Sequence, residues 1–442
     1  MCDSTMFSIY VHIPFCLKKC GYCDFHSVAM SREDVPGMEY ARAIEAELNA
    51  QVDKYGLRGR RVGSIYLGGG TPTILSTDEL GSILDTVRGH FSVTSGAEIT
   101  IEANPETLFF TPNQPSSSRP TAKTVIPTEP VPAGSKPGVG IQNVLEPLDS
   151  GFRRNDKNIG PIPSLFSRIS IGCQSFNDAH LKKLGRIHSA GTAIRAVKAM
   201  QDAGCKNIGI DLMWGLPGQT LAELERDLDI ALGLGVQHIS AYQLTLESKN
   251  VAERFSVPST DGALKGSSTS HEDVARKMFL LVHNTLTSGG FEHYEISNFA
   301  KKGFRSRHNE NYWHYGEWLG LGCGATSFFK SPPPSGEGQG EGALTRFSSL
   351  PSITDYLAHR FAYNKEVIPA RTAMGEYCFL ALRTSDGIDL EDFRRRFGTE
   401  FDLVYPGLRE KWINRGLAVA PLSLTLNGWL ISNELFSDLV LL

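Results

Sequence analysis

Six times between Ser8 and Ser288 a short β-rich run precedes a stretch with helical spacing, and this alternation restricts the fold more than any other feature. The β-rich runs are Ser8–Ile13, Ser64–Leu67, Glu98–Ile101, Arg168–Ile171, Asn207–Met213 and His238–Leu246. Between them, Ala41, Ile44, Leu48 and Val52, then Leu80, Ile83, Leu84 and Val87, recur on single helical faces. Asp178–Leu184, Gly191–Asp202, Leu221–Leu234 and His271–Ser288 read as further helices. Strands alternating with helices call for parallel βα units joined by right-handed crossovers. The expected fold is α/β, a partial (β/α)6 barrel resembling a TIM barrel. A doubly wound sheet is the alternative that periodicity does not separate.

The chain of 442 residues is long enough for such a barrel plus an accessory unit. Two stretches break the pattern. Residues 111–164 are rich in Pro, Ser, Gly and Thr, and residues 331–342 run Ser-Pro-Pro-Pro-Ser-Gly-Glu-Gly-Gln-Gly-Glu-Gly. Neither composition buries enough apolar surface to offset its ordering entropy, so both are expected to be disordered insertions. The expected division is a core over 1–330, a loop over 331–347 and a small C-terminal α/β unit over 348–442. In that last unit Phe379–Leu382 and Leu424–Ile431 are among the mixed helical and strand-like runs.

A net charge of −4 gives no support for general nucleic-acid binding. No run of about 18 apolar residues is present, so no transmembrane segment is expected. The N-terminus does not read as a signal peptide, which places the chain in the cytoplasm. In that reducing compartment the eight cysteines read as ligands, catalytic groups or core thiols. Five are scattered, but Cys16, Cys20 and Cys23 fall within eight residues, directly after the first strand. The C-terminal ends of parallel strands are where sites are built. Three close thiolates suit either zinc, with His26 as a fourth ligand, or an iron–sulfur cluster that keeps one iron open.

The other site candidates also sit at strand ends. Gly68, Gly69, Gly70 and Thr71 follow the second strand, where glycine permits positive φ and close backbone approach. The run is neither a Walker loop nor a dinucleotide fingerprint. Glu102 ends the third strand, Gln174 the fourth, and Asp211 lies on the fifth.

The run Tyr10-Val-His-Ile-Pro-Phe-Cys16-Leu-Lys-Lys-Cys20-Gly-Tyr22-Cys23 resembles the signature of the radical S-adenosylmethionine (SAM) superfamily. More narrowly, it resembles the branch that holds oxygen-independent coproporphyrinogen III oxidases and a related heme chaperone. The resemblance runs from about residue 6 to the end, leaving out the two insertions. It implies that Cys16, Cys20 and Cys23 bind a [4Fe–4S] cluster whose open iron is chelated by SAM. It also implies that Tyr10 and Tyr22 flank the cluster. Gly69, Gly70, Thr71, Glu102, Gln174, Arg186 and Asp211 would line the SAM pocket, with Arg186 a bidentate partner for the SAM carboxylate.

Three features separate the two members of that branch. The oxidase carries a further cysteine two places after the third cluster cysteine, where this chain has Phe25, and it carries a longer arm before the cluster. His308-Asn309-Glu-Asn-Tyr312-Trp313 matches the His-Asn-x-x-Tyr-Trp motif of the chaperone. An imidazole can ligate heme iron, and flat rings can pack on a porphyrin. The expectation is therefore a protein that binds heme and transfers it to acceptors, respiratory enzymes among them. A low-potential electron donor and a homodimer belong to the same expectation. Oxidative decarboxylation of coproporphyrinogen III is the alternative activity.

Overall fold

A computed structural model describes residues 6–109, 162–244, 271–331 and 343–439. Among them, all six expected strands form and lie parallel: β1 (Phe7–Ile13), β4 (Arg61–Gly69), β5 (Ser92–Ala103), β6 (Arg168–Gln174), β7 (Ile208–Trp214) and β8 (His238–Gln243). β2 (Phe15–Cys16) and β3 (Val28–Ala29) form a separate two-stranded ribbon. The six strands neighbour one another in chain order. A doubly wound sheet would reverse direction part-way, so the order is that of a barrel. The barrel stays open. β8 pairs antiparallel with β10 (Asn298–Ala300), next to β9 (Glu292–Glu295), instead of closing onto β1.

Burial explains why these runs are strands. All but one residue of Phe7–Ile13 are buried, as expected of a parallel strand covered on both faces. The helices start where their caps lie. Ser76 and Glu79 close a reciprocal capping box at Thr77–His90, and Thr220 and Glu223 close another at Leu221–Gly233. The helix Gly37–Tyr55 ends on Gly56 in the left-handed conformation.

Beyond the ribbon and β9–β10, four more strands lie outside the sequence expectation. β11 (Trp318–Leu321) adds to the other side of β1 in parallel, as a seventh parallel strand. β12 (Thr326–Ser331), β13 (Ala343–Ser349) and β14 (Tyr363–Val367) continue the same sheet antiparallel. β13 and β14 thus belong to the large sheet, although they fall within the stretches read as loop and accessory unit. The C-terminal unit is mostly helical after Val367. Phe379–Leu382 lies at the end of the helix Ala370–Ala381, and Leu424–Ile431 is largely the helical turn Leu426–Leu430. Among the described residues after Val367, the short β15 (Ala418–Val419) and β16 (Ser423–Leu424) pair with each other. Its core, around Trp412, Phe393 and Phe401, is continuous with that of the barrel. Arg383 pairs with buried Glu295 at 2.7 Å across the seam.

The two expected insertions lie outside the described residues, apart from the helical turn Ile162–Leu165, Ser331 and the strand residues from Ala343 onward. No described helix is long and apolar enough to cross a membrane.

Candidate active site at the strand ends

Cys16 is the last residue of β2. The β2–β3 ribbon closes the base of the loop that carries Cys20 and Cys23: Val28 N–H donates to Pro14 O at 2.7 Å and Met30 N–H to Cys16 O at 2.9 Å. The glycine turn after β4 packs onto this loop. Gly70 N–H donates to Ile13 O and Thr71 N–H to Phe15 O, both at 2.8 Å. A side chain at Gly70 would stand 2.7 Å from Phe15 O, and one at Gly69, whose φ is +105°, would meet the His12 ring. The close approach that these glycines allow is thus to the cluster-bearing strand itself.

A cavity of about 390 Å³ sits over the strand ends. Cys16, Cys20, Cys23, Tyr22, Gly69, Gly70, Glu102, Gln174, Arg186, Asp211 and Asn309 line it, so eleven of the candidate residues meet in one place. Thr71, Tyr10, His308, Tyr312 and Trp313 do not line it. Thr71 is buried behind Cys16, to whose sulfur its hydroxyl donates at 3.5 Å. Tyr10 packs beside Tyr66 at 6.2 Å, with its hydroxyl hydrogen-bonded to His12 Nδ1 at 2.9 Å.

Arg186 connects the thiolate loop to the barrel. One guanidinium nitrogen donates to Cys20 Sγ at 3.5 Å, and the other to Asn104 Oδ1 and to Gly172 O. Glu102 accepts from Tyr66 O–H at 2.7 Å and from Gly69 N–H at 3.0 Å. Burial pushes its carboxyl up to about 7. Asp211, which accepts from Ser170 O–H at 3.3 Å, is raised for the same reason. Burial raises the Cys16 and Cys23 thiols too. Gln174 has φ +66°, a conformation few non-glycine residues adopt and one often found at functional sites. Sequence reasoning missed Tyr66, Asn104, Ser170 and Tyr242, which also face the cavity. Tyr66 had a signal, since it pairs in register with Tyr10 and lies two residues before Gly68 on one face of β4.

The donors suit an iron–sulfur cluster. Two of the three sulfurs already accept hydrogen bonds from Thr71 and Arg186, as cluster thiolates do.

The His308 motif departs from its sequence reading. The helix Arg307–Trp313 turns His308 and Tyr312 inward together. His308 is 1% exposed, with Nδ1 hydrogen-bonded to Ser64 Oγ at 2.9 Å and Nε2 to the Tyr312 hydroxyl at 2.7 Å. Its ring stacks on Tyr66 at 5.0 Å, and burial pushes its pKa down to about 3. In this arrangement neither nitrogen is open to iron. Trp313 packs away from Tyr312, under the Arg383 guanidinium of the C-terminal unit at 5.0 Å.

A thiolate loop after the first strand of an open parallel barrel, beside a glycine turn and buried carboxylates, defines a radical SAM protein. The family description for the radical SAM superfamily matches residues 156–231, and that for the HemN C-terminal domain matches 368–431. The heme chaperone HemW of Haemophilus influenzae is 32% identical over 87% of this chain and 85% of its own length. That of Escherichia coli is 31% identical over 91% and 89%, and that of Bacillus subtilis 29% identical over 98% of each. The chain belongs to the HemW family. The coproporphyrinogen III oxidase HemN of Escherichia coli shares the fold, with TM-score 0.69 over 98% of this chain and 90% of that one at 17% identity.

Proposed function

We propose that this protein binds heme and passes it to acceptor proteins, and that it holds a [4Fe–4S] cluster and SAM in the inner cavity. The observation that carries this reading is the similarity to heme chaperones along nearly their whole length. Cys16, Cys20 and Cys23 would hold three irons of the cluster, which when bound supplies an open iron for SAM and a source of low-potential electrons. Arg186 offers a fixed cation to the SAM carboxylate. Glu102 and Asp211 offer acceptors to its amino group or ribose hydroxyls, and Gln174 an amide at the same wall. Because Glu102 is pushed up to about 7, it can hold or release a proton near neutral pH.

Phe25 argues against the oxidase activity. It occupies the place of the oxidase's further cysteine and stands 66% exposed at the cavity lip. Acceptors among the respiratory enzymes, a low-potential electron donor, a homodimer and a cytoplasmic setting complete the proposal. The test combines two assays on anaerobically reconstituted protein. Heme should titrate in and then move to a heme-stripped acceptor. Conversion of coproporphyrinogen III to protoporphyrinogen with SAM and a low-potential donor would overturn the reading.

A further inference from the structure

A second hollow, of about 480 Å³, lies beside the cysteine loop, on the face of β1 and β11 that carries Tyr10 and Trp318. It shares Phe25 with the inner cavity. Six rings wall it: Tyr10, His12, Phe25, His26, Tyr312 and Trp318. The Tyr312 and Trp318 rings meet edge to face at 4.6 Å. Such walls suit a flat apolar molecule, and the exposed ring of Phe25 gives it a place to rest at the rim.

Three imidazoles stand in or behind this hollow, and two are committed. His12 is hydrogen-bonded through Nδ1 to Tyr10 and through Nε2 to the His26 carbonyl. His308 is bonded to Ser64 and Tyr312. His26 differs. Its Nε2 faces only the Cys323 sulfur at 3.6 Å, a weak partner, and its Nδ1 makes no hydrogen bond among the described residues. The ring leans on Gly324, where an added Cβ would stand 3.0 Å from it. Burial and nearby Lys19 hold its pKa below the ordinary value, so at neutral pH it is the neutral, ligating form.

We propose that heme seats in this second hollow with His26 as the ligand to its iron, Tyr312 and Trp318 against the macrocycle and Phe25 at the open edge. The proposal rests on the heme-binding reading above and assigns its site. The His308 motif then contributes through Tyr312, whose hydroxyl His308 holds in place. Heme bound there would lie against Phe25 and Tyr10, directly on the loop that carries the cysteines.

The test is a titration of reconstituted full-length protein with ferric heme, followed by visible absorption and low-temperature EPR after subtraction of the cluster spectrum. His26→Ala should abolish the imidazole-ligated signature and weaken binding by at least about tenfold, the loss that even changes to a ligand's supporting groups bring at metal sites. Added free imidazole should restore the signature. His26→Met should bind heme with altered visible bands, because the ligand type changes. Iron content and melting temperature of both variants, compared with wild type, check that they fold. Wild-type spectrum and affinity in both variants would overturn the assignment and leave the heme-carrying reading intact. A wild-type protein that takes up no heme would sink both.

Discussion

Arg186 and Cys20, 166 residues apart in the chain, meet in the inner cavity, where the guanidinium donates to the sulfur across 3.5 Å. A donor to a cluster sulfur stabilises the reduced, more negative state. Arg186→Ala should therefore lower the cluster's reduction potential. A lost charge-assisted hydrogen bond of about 1.5 kcal/mol corresponds to a shift on the order of 60 mV for one electron. A redox titration followed by EPR measures it, and an unchanged potential would show that the contact does not persist in the loaded protein.

Alanine at Cys16, Cys20 or Cys23 should each remove the cluster's visible absorbance after reconstitution. Cys205→Ala, which touches none of these groups, should keep four irons per chain, the content of a [4Fe–4S] cluster. Full iron retention in Cys20→Ala would refute the ligand assignment.

His308→Ala should act on stability before it acts on any ligand. It strips the Tyr312 hydroxyl of its partner, leaves the Ser64 hydroxyl with Ser8 alone and removes a ring stacked on Tyr66. The expected loss is about 3 kcal/mol, read as a lower denaturation midpoint in the metal-free protein. A variant as stable as wild type would mean that this polar cluster is dispensable.

Glu47 provides a pH test. Its carboxylate is fully buried and accepts from Tyr356 at 2.6 Å, Tyr363 at 2.7 Å and Gly322 N–H at 2.8 Å. Burial nevertheless pushes it up from 4.5 to about 7. The folded state then holds a proton that the unfolded chain has lost, so this group's contribution is complete below pH 4.5 and fades as pH rises through about 7. Up to about 3 kcal/mol is involved at about 1.4 kcal/mol per pH unit. Glu47→Gln should flatten that part of the stability profile, and an identical slope in both proteins would contradict the raised pKa.

What the sequence made legible follows from burial. Strands covered on both faces, such as Phe7–Ile13, must be uninterrupted apolar runs, and helices with caps such as Ser76 and Thr220 declare their starts. β11 carried no such mark, being four residues long with a glycine inside. β13 follows a Pro/Gly-rich run and β14 is exposed at four of its five positions, so neither reads as a strand until its neighbour in the chain pairs with it. The cluster loop and strand-end carboxylates were found because spacing and strand ends are local facts. In the His308 motif the spacing did not state which way each side chain would face. One residue along a helix is about 100° of rotation, enough to send Tyr312 into the barrel wall and Trp313 toward Arg383.

The β2–β3 ribbon bears on how the protein would be loaded. In a zinc finger the metal supplies the folding energy, and the empty peptide is a coil. Here the loop bearing the thiols is fastened at its base by backbone bonds from Val28 and Met30, and braced by the glycine turn through Gly70 and Thr71. None of those four bonds involves a sulfur. Assembly of the proposed cluster would then be delivery to a loop already fastened, and a chain stripped by oxygen should keep its shape and accept a replacement without passing through the unfolded state.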